Sequence, residues 1–235
     1  MTNIYDKSSY YITAQMKAIR EHPKKEKRLG RPFVTISRES GAYGTTITQM
    51  LAEYLQKNDQ RKTCPWTVFD KNLIEKVAQE HHLPKEIKQY LSEKPAPAIE
   101  DSLEELMGVH PSQEVLVNKM NETMLHLAQL GYSILVGRGA HIVTRQIPKG
   151  LHVRLIGSLE KRIKHMQDYL NVGEKQAKEC VLREDRERRN YIHKYFRKDI
   201  NAVPLYDLII NTDTVSPEEA VVAIGNIILH RSAAP

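Results

Sequence analysis

The segment from Pro32 to Thr46 constrains the fold of this 235-residue chain more than any other stretch. It opens with a short apolar run suited to a buried parallel strand, made by Phe33, Val34 and Ile36. Two glycines three residues apart follow, and then comes a stripe with helical spacing at Ile47, Met50, Leu51, Tyr54 and Leu55. A strand, a glycine loop and a helix in this order aim backbone N–H groups and a helix N-terminus at a phosphate.

The loop itself does not complete the Walker A pattern, which needs a glycine at position 39 and a lysine at position 45. The chain has Glu39 and Thr45 there, while Gly44 and Thr46 fit the pattern. The loop alone therefore leaves phosphate binding and an ordinary strand-to-helix turn open. The candidate phosphate-binding residues are Ser37, Glu39, Ser40, Gly41, Ala42, Tyr43, Gly44, Thr45 and Thr46.

Four further strand patterns follow, and most are separated by helical ones. The strands are predicted at 66–69, 132–136, 151–156 and 206–211, and the main helices at 112–130, 158–170, 173–198 and from Ser216 onward. Strands that alternate with helices indicate a parallel sheet covered on both faces. Such sheets bind ligands at the carboxyl ends of their strands.

Composition narrows the class of protein. A hydrophobic content of 40% and a charged content of 27% are typical of a globular protein, and no apolar run approaches the ~18 residues of a membrane span. Cys64 and Cys180 have neither metal-ligand spacing nor the number for a disulfide framework, so a reducing cytoplasm is the expected location. We expect no membrane partner.

The net charge of +6 is local. Seven basic and two acidic residues between Lys17 and Arg31 supply +5 of it, which is typical of a solvated basic tail, and we do not expect a nucleic-acid partner. Residues 1–30 are predicted to be a dispensable extension, and 31–235 the compact domain. The proline-punctuated insertion at about 81–111 is either a binding flap or a plain surface excursion. A homodimer is left open.

Polar side chains at the strand ends are the candidates for ligand binding. Asp70 follows the second strand, where it either caps the next helix or contacts a ligand. Arg138 stands between two glycines after the third strand. Glycines let backbones approach closely, and a guanidinium fork suits a phosphate or a carboxylate, so we favour a ligand role for Arg138.

The long charged pattern at about 173–199 is predicted to form a helical lid. Asp185 and Arg188 lie three residues apart on its apolar side, which indicates either a pair held near a cleft or a structural ion pair. Arg183 lies on the opposite, basic side, which is typical of a solvated face, and it is retained as a candidate acceptor contact. Arginines that close over phosphates are typical of phosphoryl transfer.

Five segments of the chain, taken together and in this order, carry a family resemblance: Val34–Gly44, Phe69–Lys71, Val136–Gly139, Asp185–Tyr191 and Tyr206–Thr212. Together they resemble the cytidylate kinase-like family, a branch of the P-loop nucleoside-monophosphate kinases. The resemblance covers roughly Phe33 to His230.

This resemblance implies an α/β, P-loop kinase-type three-layer sandwich, with a five-stranded parallel sheet of order 2-3-1-4-5 and a helical lid. It also implies ATP and Mg²⁺ as phosphoryl donor and CMP or dCMP as acceptor. The glycine loop would hold the donor phosphates, Asp70 and Arg138 would face the monophosphate, and Asp185 with Arg188 would belong to the lid.

Two positions depart from the family pattern. Cytidylate kinases have a lysine, and their relatives usually an arginine, at the position of Thr45, and bacterial cytidylate kinases have an aspartate at the position of Gly139. An active kinase therefore needs a replacement cation. We predict that Arg38 supplies it and that Thr46 ligates Mg²⁺, the alternative for Arg38 being a salt bridge to Glu39. A nucleotide-binding regulator without catalysis and a kinase of another small molecule remain as alternative functions.

Overall fold

The computed structural model describes residues 10, 11, 13–15, 17, 31–74 and 113–233. Its strands are β1 (Phe33–Arg38), β2 (Thr67–Phe69), β3 (Ser133–Val136), β4 (Gly150–Ile156) and β5 (Leu208–Asn211). Its helices are labelled α1 (Gly44–Asn58), α2 (Gln113–Leu130), α3 (Ala140–Val143), α4 (Leu159–Leu170), α5 (Glu174–Phe196) and α6 (Pro217–Ala233). Residues 71–74 are also helical. The predicted insertion at 81–111 lies outside the described residues.

The five strands form one parallel sheet in the order β2-β3-β1-β4-β5, which confirms the predicted architecture. Strand β1 lies at the centre, with Phe33 in register with Ser133 on one side and with Gly150 on the other. The carboxyl end of β1 therefore lies between those of β3 and β4. In such sheets this edge is where ligands bind.

Packing of α1 fixes the loop that precedes it. The predicted stripe faces the core: Ile47, Leu51 and Leu55 have no exposed surface, and Met50 and Tyr54 are partly buried against it. Each such side chain contributes about 1.5–3 kcal/mol relative to an exposed one. Helix α1 packs on α6, where Gly225 leaves room for the ring of Tyr54. The N-terminus of α1 is thereby held at the carboxyl end of β1.

Local capping signals agree with the predicted helix starts. Ser158 caps α4 by accepting a hydrogen bond from the Lys161 N–H. Ser216 and Glu219 form the predicted capping box at α6, with N···O distances of 2.9 and 3.2 Å. The long charged pattern forms one continuous helix, α5. Within the described residues, no helix is long and apolar enough to cross a membrane.

The described part of the N-terminal extension packs on the domain. Tyr11 has no exposed surface, lies edge-on to Phe69 at 5.2 Å and donates a hydrogen bond to the Gly131 carbonyl. Gln15 is also fully buried and is hydrogen-bonded to the Leu130 carbonyl. The expectation that this segment lies outside the core is therefore wrong for Tyr11 and Gln15. Their partners Gly131 and Leu130 lie 120 and 115 residues away, so the local sequence does not show these contacts.

Tyr11 provides the test of this packing. We expect Tyr11→Ala to lower the free energy of unfolding by about 3 kcal/mol, because it leaves a large cavity. The neighbouring Tyr10 is 66% exposed and serves as the matched control: Tyr10→Ala should change stability by less than about 0.5 kcal/mol. Urea unfolding of both variants measures the difference. Equal effects would contradict the packed position of Tyr11.

Candidate functional site

The glycine loop, residues Ser37–Thr46, joins β1 to α1 at the carboxyl edge of the sheet. A Cβ atom on Gly41 would lie 2.4 Å from the carbonyl oxygen of Arg162, so this close approach requires glycine. Tyr43 precedes α1 in the left-handed conformation and does not cap it with its side chain. The first N–H groups of a helix have no partner within it. The N-terminus of α1 therefore offers donors to an anion.

A second glycine segment follows β3. Gly137, Arg138 and Gly139 all have positive φ angles, of 82°, 51° and 77°. A Cβ on Gly137 would lie 2.5 Å from the Arg38 guanidinium, and one on Gly139 would lie 2.4 Å from the ring of Phe196. The missing family aspartate at position 139 thus has a steric explanation, because the end of α5 fills the space. The Arg138 guanidinium lies 4.9 Å from the centre of the Tyr191 ring.

The end of β1, the glycine segment after β3 and helix α5 line a cavity of about 250 Å³, here called the arginine cavity. Its lining combines three arginines among the predicted site residues, Arg38, Arg138 and Arg188, with Lys71, and it includes the acids Glu184 and Glu187. Arg38 reaches it by passing Gly44 and ending beside Gly137. Burial, with the nearby Arg188 and Arg138, lowers the pKa of Arg38 to about 10, which leaves it charged at neutral pH.

Two acids of α5 dock on the glycine loop. The Ser40 N–H donates to Asp185 at 2.7 Å, and the Ser40 hydroxyl donates to Glu184 at 2.9 Å. The same acids hold Arg188, at 3.2 Å from Asp185 and 2.7 Å from Glu184. Burial raises the pKa of Glu184, but the hydrogen bonds from Ser40 and Arg188 outweigh it and bring the pKa below its ordinary value. The predicted Asp185–Arg188 pair thus forms, and its carboxylate joins α5 to the glycine loop.

Arg162 of α4 joins the glycine loop, α5 and the end of β4, and no pattern in the sequence marks it. Its guanidinium donates to Asp185 at 2.6 Å, to the Ser40 carbonyl at 2.9 Å and to the Gly157 carbonyl at 2.9 Å. Glu39 lies 3.4 Å from it and also accepts from the Gly157 N–H. Glu39 therefore pairs with Arg162. The sequence analysis had offered Glu39 as a salt-bridge partner for Arg38.

The other predicted site residues have different surroundings. Asp70 accepts a hydrogen bond from the Leu73 N–H at 2.9 Å, so it caps residues 71–74, and its charge is near enough to Arg38 to oppose the lowering of the Arg38 pKa. Arg183 is exposed and points to the Cys180 sulfur rather than to the cavity. Thr45 is exposed and Thr46 half-buried in the first turn of α1, and Ala42 is buried in the core.

A second cavity of about 350 Å³ lies at the ends of β4 and β5. Its buried cation is Arg154, which donates to Ser37 at 2.9 Å and to Asn201 at 2.9 Å. The sequence carried a signal for this position. His152 and Arg154 alternate with apolar residues along a strand pattern, so they share a face that polar groups of a neighbouring strand must satisfy.

The fold and the site together define an α/β protein of kinase-like architecture with an arginine-lined cavity at the carboxyl edge of its central strand. The chain belongs to the cytidylate kinase-like family, whose model matches residues 33–214. This match confirms the resemblance stated from the sequence. It does not identify the acceptor.

Individual relatives are distant. An uncharacterized protein from Eubacterium ventriosum has a similar structure, with a TM-score of 0.60 and 16% identity over 87% of this chain and 100% of that one, which shows the fold alone. Shikimate kinase from Bacteroides thetaiotaomicron is a more distant match, with a TM-score of 0.44 and 11% identity over 84% of this chain and 98% of that one. A 28% identical match to uronate isomerase of Corynebacterium glutamicum covers 37% of this chain and only 17% of that enzyme.

Removal of the Arg162 guanidinium tests the link between loop and lid. Arg162→Met leaves Asp185 and Glu39 without their buried cation, and we expect a loss of about 3 kcal/mol in the free energy of unfolding. Hydrogen exchange at the Ser40 amide should also accelerate. The control is Arg145→Met, which breaks an exposed pair with Asp207 and should cost less than about 1 kcal/mol. An unchanged Ser40 exchange rate in Arg162→Met would contradict the link.

Two buried histidines beside the site predict how stability depends on pH. Burial, with nearby cations, lowers the pKa of His141 to about 3, and burial outweighs the attraction of Asp207 to lower that of His152 to about 4. Such a histidine takes up its proton only on unfolding, so its contribution is complete above pH 6.5 and falls as the pH drops towards 4. The expected loss is about 1.4 kcal/mol per pH unit for each histidine.

His152→Gln removes one of these two titrating groups. Glutamine can keep the contact with Thr35 and cannot titrate, so the variant should flatten the decline in stability between pH 6.5 and 4.5. The exposed His230 provides the control, because His230→Gln should leave the slope unchanged. Urea unfolding at several pH values measures both. A slope in His152→Gln equal to that of the wild type would show that His152 is not held neutral.

Proposed function

We propose that this chain is a nucleoside-monophosphate kinase-like phosphotransferase that moves the γ-phosphoryl group of ATP to CMP, dCMP or a similar small acceptor. The observation that carries the proposal is the convergence of Arg38, Arg138 and Arg188 on one cavity beside the glycine loop. Membership of the cytidylate kinase-like family supports it. Phosphoryl transfer needs mainly positioning and charge neutralisation, which these side chains can provide.

The residues of the glycine loop fit a bound nucleotide. A carboxylate of the protein, that of Asp185, already accepts the Ser40 N–H as a phosphate oxygen would. The uncapped N-terminus of α1 offers further donors, and the half-buried Thr46 hydroxyl lies in its first turn. Mg²⁺ keeps several of its waters and takes few protein ligands, so a single hydroxyl, that of Thr46, would be enough to hold it beside the donor phosphates. When bound, the ion neutralises charge on the donor phosphates.

Three arginines of the chain would then have separate roles. Arg138, steadied by the Tyr191 ring, holds the acceptor phosphate in the arginine cavity. Arg38 lies between the glycine loop and that cavity and stabilises the charge of the transferring group in place of the family lysine. Arg188 is held over the cavity by Asp185 and Glu184, and it moves with the lid helix.

A regulator that binds nucleotide without turning it over is the second candidate. Two observations favour it. Thr45, at the position of the family cation, is exposed and neutral, and Asp185 occupies a loop N–H that a donor phosphate would use. This candidate and the kinase share a binding site and differ only in chemistry. Binding and turnover must therefore be measured separately.

The test begins with the wild-type protein. Thermal shifts with nucleoside mono-, di- and triphosphates, with and without Mg²⁺, identify binding, because a ligand at 100 times its Kd adds about 2.7 kcal/mol of stability. A coupled turnover assay on the ligands that bind then measures transfer. The kinase proposal expects ATP and at least one pyrimidine monophosphate to bind and react. Absence of any nucleotide-dependent shift would contradict both candidates.

Substitutions at Arg38 and Thr45 separate the two candidates. We expect Arg38→Ala to lower kcat by about 100-fold or more, since it removes the cation nearest to the transferring charge. Thr45→Lys should leave kcat unchanged or raise it. Arg186 is exposed on α5, and Arg186→Ala is the control that should leave kcat unchanged. A wild type that binds nucleotides without turnover, together with an active Thr45→Lys variant, would establish the regulator instead.

A further inference from the structure

The second cavity, of about 350 Å³ at the ends of β4 and β5, takes no part in the proposed reaction. Four of its lining residues alternate along these two strands, namely Arg154, Ile156, Ile209 and Asn211. Successive side chains of a strand point to opposite faces of the sheet, and the intervening Leu155 and Ile210 are buried in the core. The second cavity therefore lies over one face of the sheet, and the Arg154 side chain is directed towards it.

Arg154 is a buried cation whose hydrogen-bond partners are neutral. It is 4% exposed and donates to the Ser37 hydroxyl and to the side-chain oxygen of Asn201, each at 2.9 Å. Its guanidinium lies 5.7 Å from the centre of the Tyr206 ring. Within the described ranges, no acidic side chain forms an ion pair with Arg154. A charge removed from water in this way is unfavourable unless an anion compensates it.

The guanidinium remains open to a ligand. Its Nε atom donates to none of the described residues and is not sealed from solvent. Asn201, which accepts a hydrogen bond from the same guanidinium, is exposed and lines the second cavity. An anion that enters there meets an N–H donor already held in place by Ser37 and Asn201. Such preorganisation reduces the conformational entropy lost on binding.

Most of the remaining lining is uncharged. Ile156, Val203 and Ile209 contribute apolar surface, while Asn201 and Asn211 contribute amide groups. Val203 is 65% exposed and Ile209 is 36% exposed, so large apolar side chains meet solvent at the mouth of the cavity. Apolar surface beside a fixed cation suits a ligand with a hydrocarbon part and an anionic end.

Glu39 limits the charge that the second cavity accepts. It lines the cavity, lies 3.4 Å from Arg162 and accepts a hydrogen bond from the Gly157 N–H at 3.0 Å. A dianion such as a phosphate ester would meet this carboxylate with Arg154 as the cation that lines the same cavity, whereas a monoanion adds only one negative charge. The lining therefore fits a carboxylate better than a phosphate.

We propose that the second cavity binds a small organic monocarboxylate, whose anionic group pairs with Arg154 and whose hydrocarbon part contacts Ile156, Val203 and Ile209. The site is separate from the arginine cavity, and the inference does not depend on the proposed phosphotransferase function. Ser37 connects the two, because it accepts a hydrogen bond from Arg154 and also lines the arginine cavity.

NMR titration of the full chain tests the site with three probes: isovalerate, its neutral isostere isovaleramide, and inorganic phosphate. We expect isovalerate to shift the Arg154 Nε–H resonance, which is identified by its absence from the spectrum of Arg154→Lys. Isovaleramide should bind at least about tenfold more weakly, because it lacks the charge that strengthens the hydrogen bond. Phosphate should leave the Arg154 Nε–H resonance in place.

Four variants separate the charge from the apolar wall. Arg154→Met should bind isovalerate about tenfold more weakly or worse, and Arg154→Lys, which keeps the charge, should lose less. Arg145→Met removes an exposed cation and is the control that should bind isovalerate as the wild type does. Ile209→Ala leaves the buried charge untouched and should weaken isovalerate binding by about threefold, since it removes part of the apolar wall.

A structural role for Arg154 gives different results. Without ligand, Arg154→Met should unfold at the wild-type temperature or higher, because it removes a buried cation whose partners are neutral. A lower unfolding temperature with unchanged isovalerate affinity would assign Arg154 to the structure and overturn the proposal. Wild-type isovalerate affinity in Ile209→Ala would likewise overturn it.

The probes also distinguish this inference from the proposed function. Absence of isovalerate binding, equal affinity for isovaleramide, or a phosphate-induced shift of the Arg154 Nε–H would each overturn the carboxylate site. Isovalerate and ATP should bind to the wild type together, and competition between them would make the second cavity part of the nucleotide site. A wild type that binds isovalerate and no nucleotide would contradict only the proposed function.

Discussion

The carboxyl edge of this sheet is governed by the need to balance positive charge. Arg38, Lys71, Arg138 and Arg188 meet around one small cavity, and like charges that are partly removed from water repel one another. Burial, and after it the neighbouring Arg188, lowers the pKa of Arg38 to about 10. Carboxylates of α5 supply the compensating charge through hydrogen bonds to Arg188 and to Ser40. Helix α5 is therefore held at this edge by these charged contacts as well as by the packing of Ala177 and Val181 on Ile163 and Met166 of α4.

Crowding of these charges depends on three positions without a Cβ atom. Gly41 lets the loop touch the backbone of α4, Gly137 admits the Arg38 guanidinium, and Gly139 accepts the ring of Phe196. Any other residue would force these elements apart. The backbone thus determines the electrostatics, because only this close approach brings side chains from β1, α4 and α5 to the same edge. At position 139, where bacterial cytidylate kinases have an aspartate, the ring of Phe196 occupies the space that a side chain would need.

The sequence predicted those features whose signal is periodic or local. The buried stripe of α1, the capping box at Ser216 and the Asp185–Arg188 pair are each readable within a few residues. Contacts between distant parts of the chain were not readable. Arg162 lies 122 residues from Ser40, and Tyr11 lies 120 residues from Gly131. The resemblance to a family supplied the strand order, which periodicity alone leaves undetermined, since many orders satisfy the same alternation of strands and helices.

The Asp185 carboxylate contacts both the glycine loop and two arginines, Arg162 and Arg188. One oxygen accepts the Ser40 N–H of the glycine loop and lies 3.2 Å from Arg188, while the other binds Arg162 at 2.6 Å. An anion that takes the Ser40 N–H must displace this carboxylate or share the donor with it. Arg188 lies on the same helix as Asp185, so we expect an anion bound at the loop to alter the position of Arg188 beside the arginine cavity. Helix α5 thus links the glycine loop to the arginine cavity through the Asp185 carboxylate.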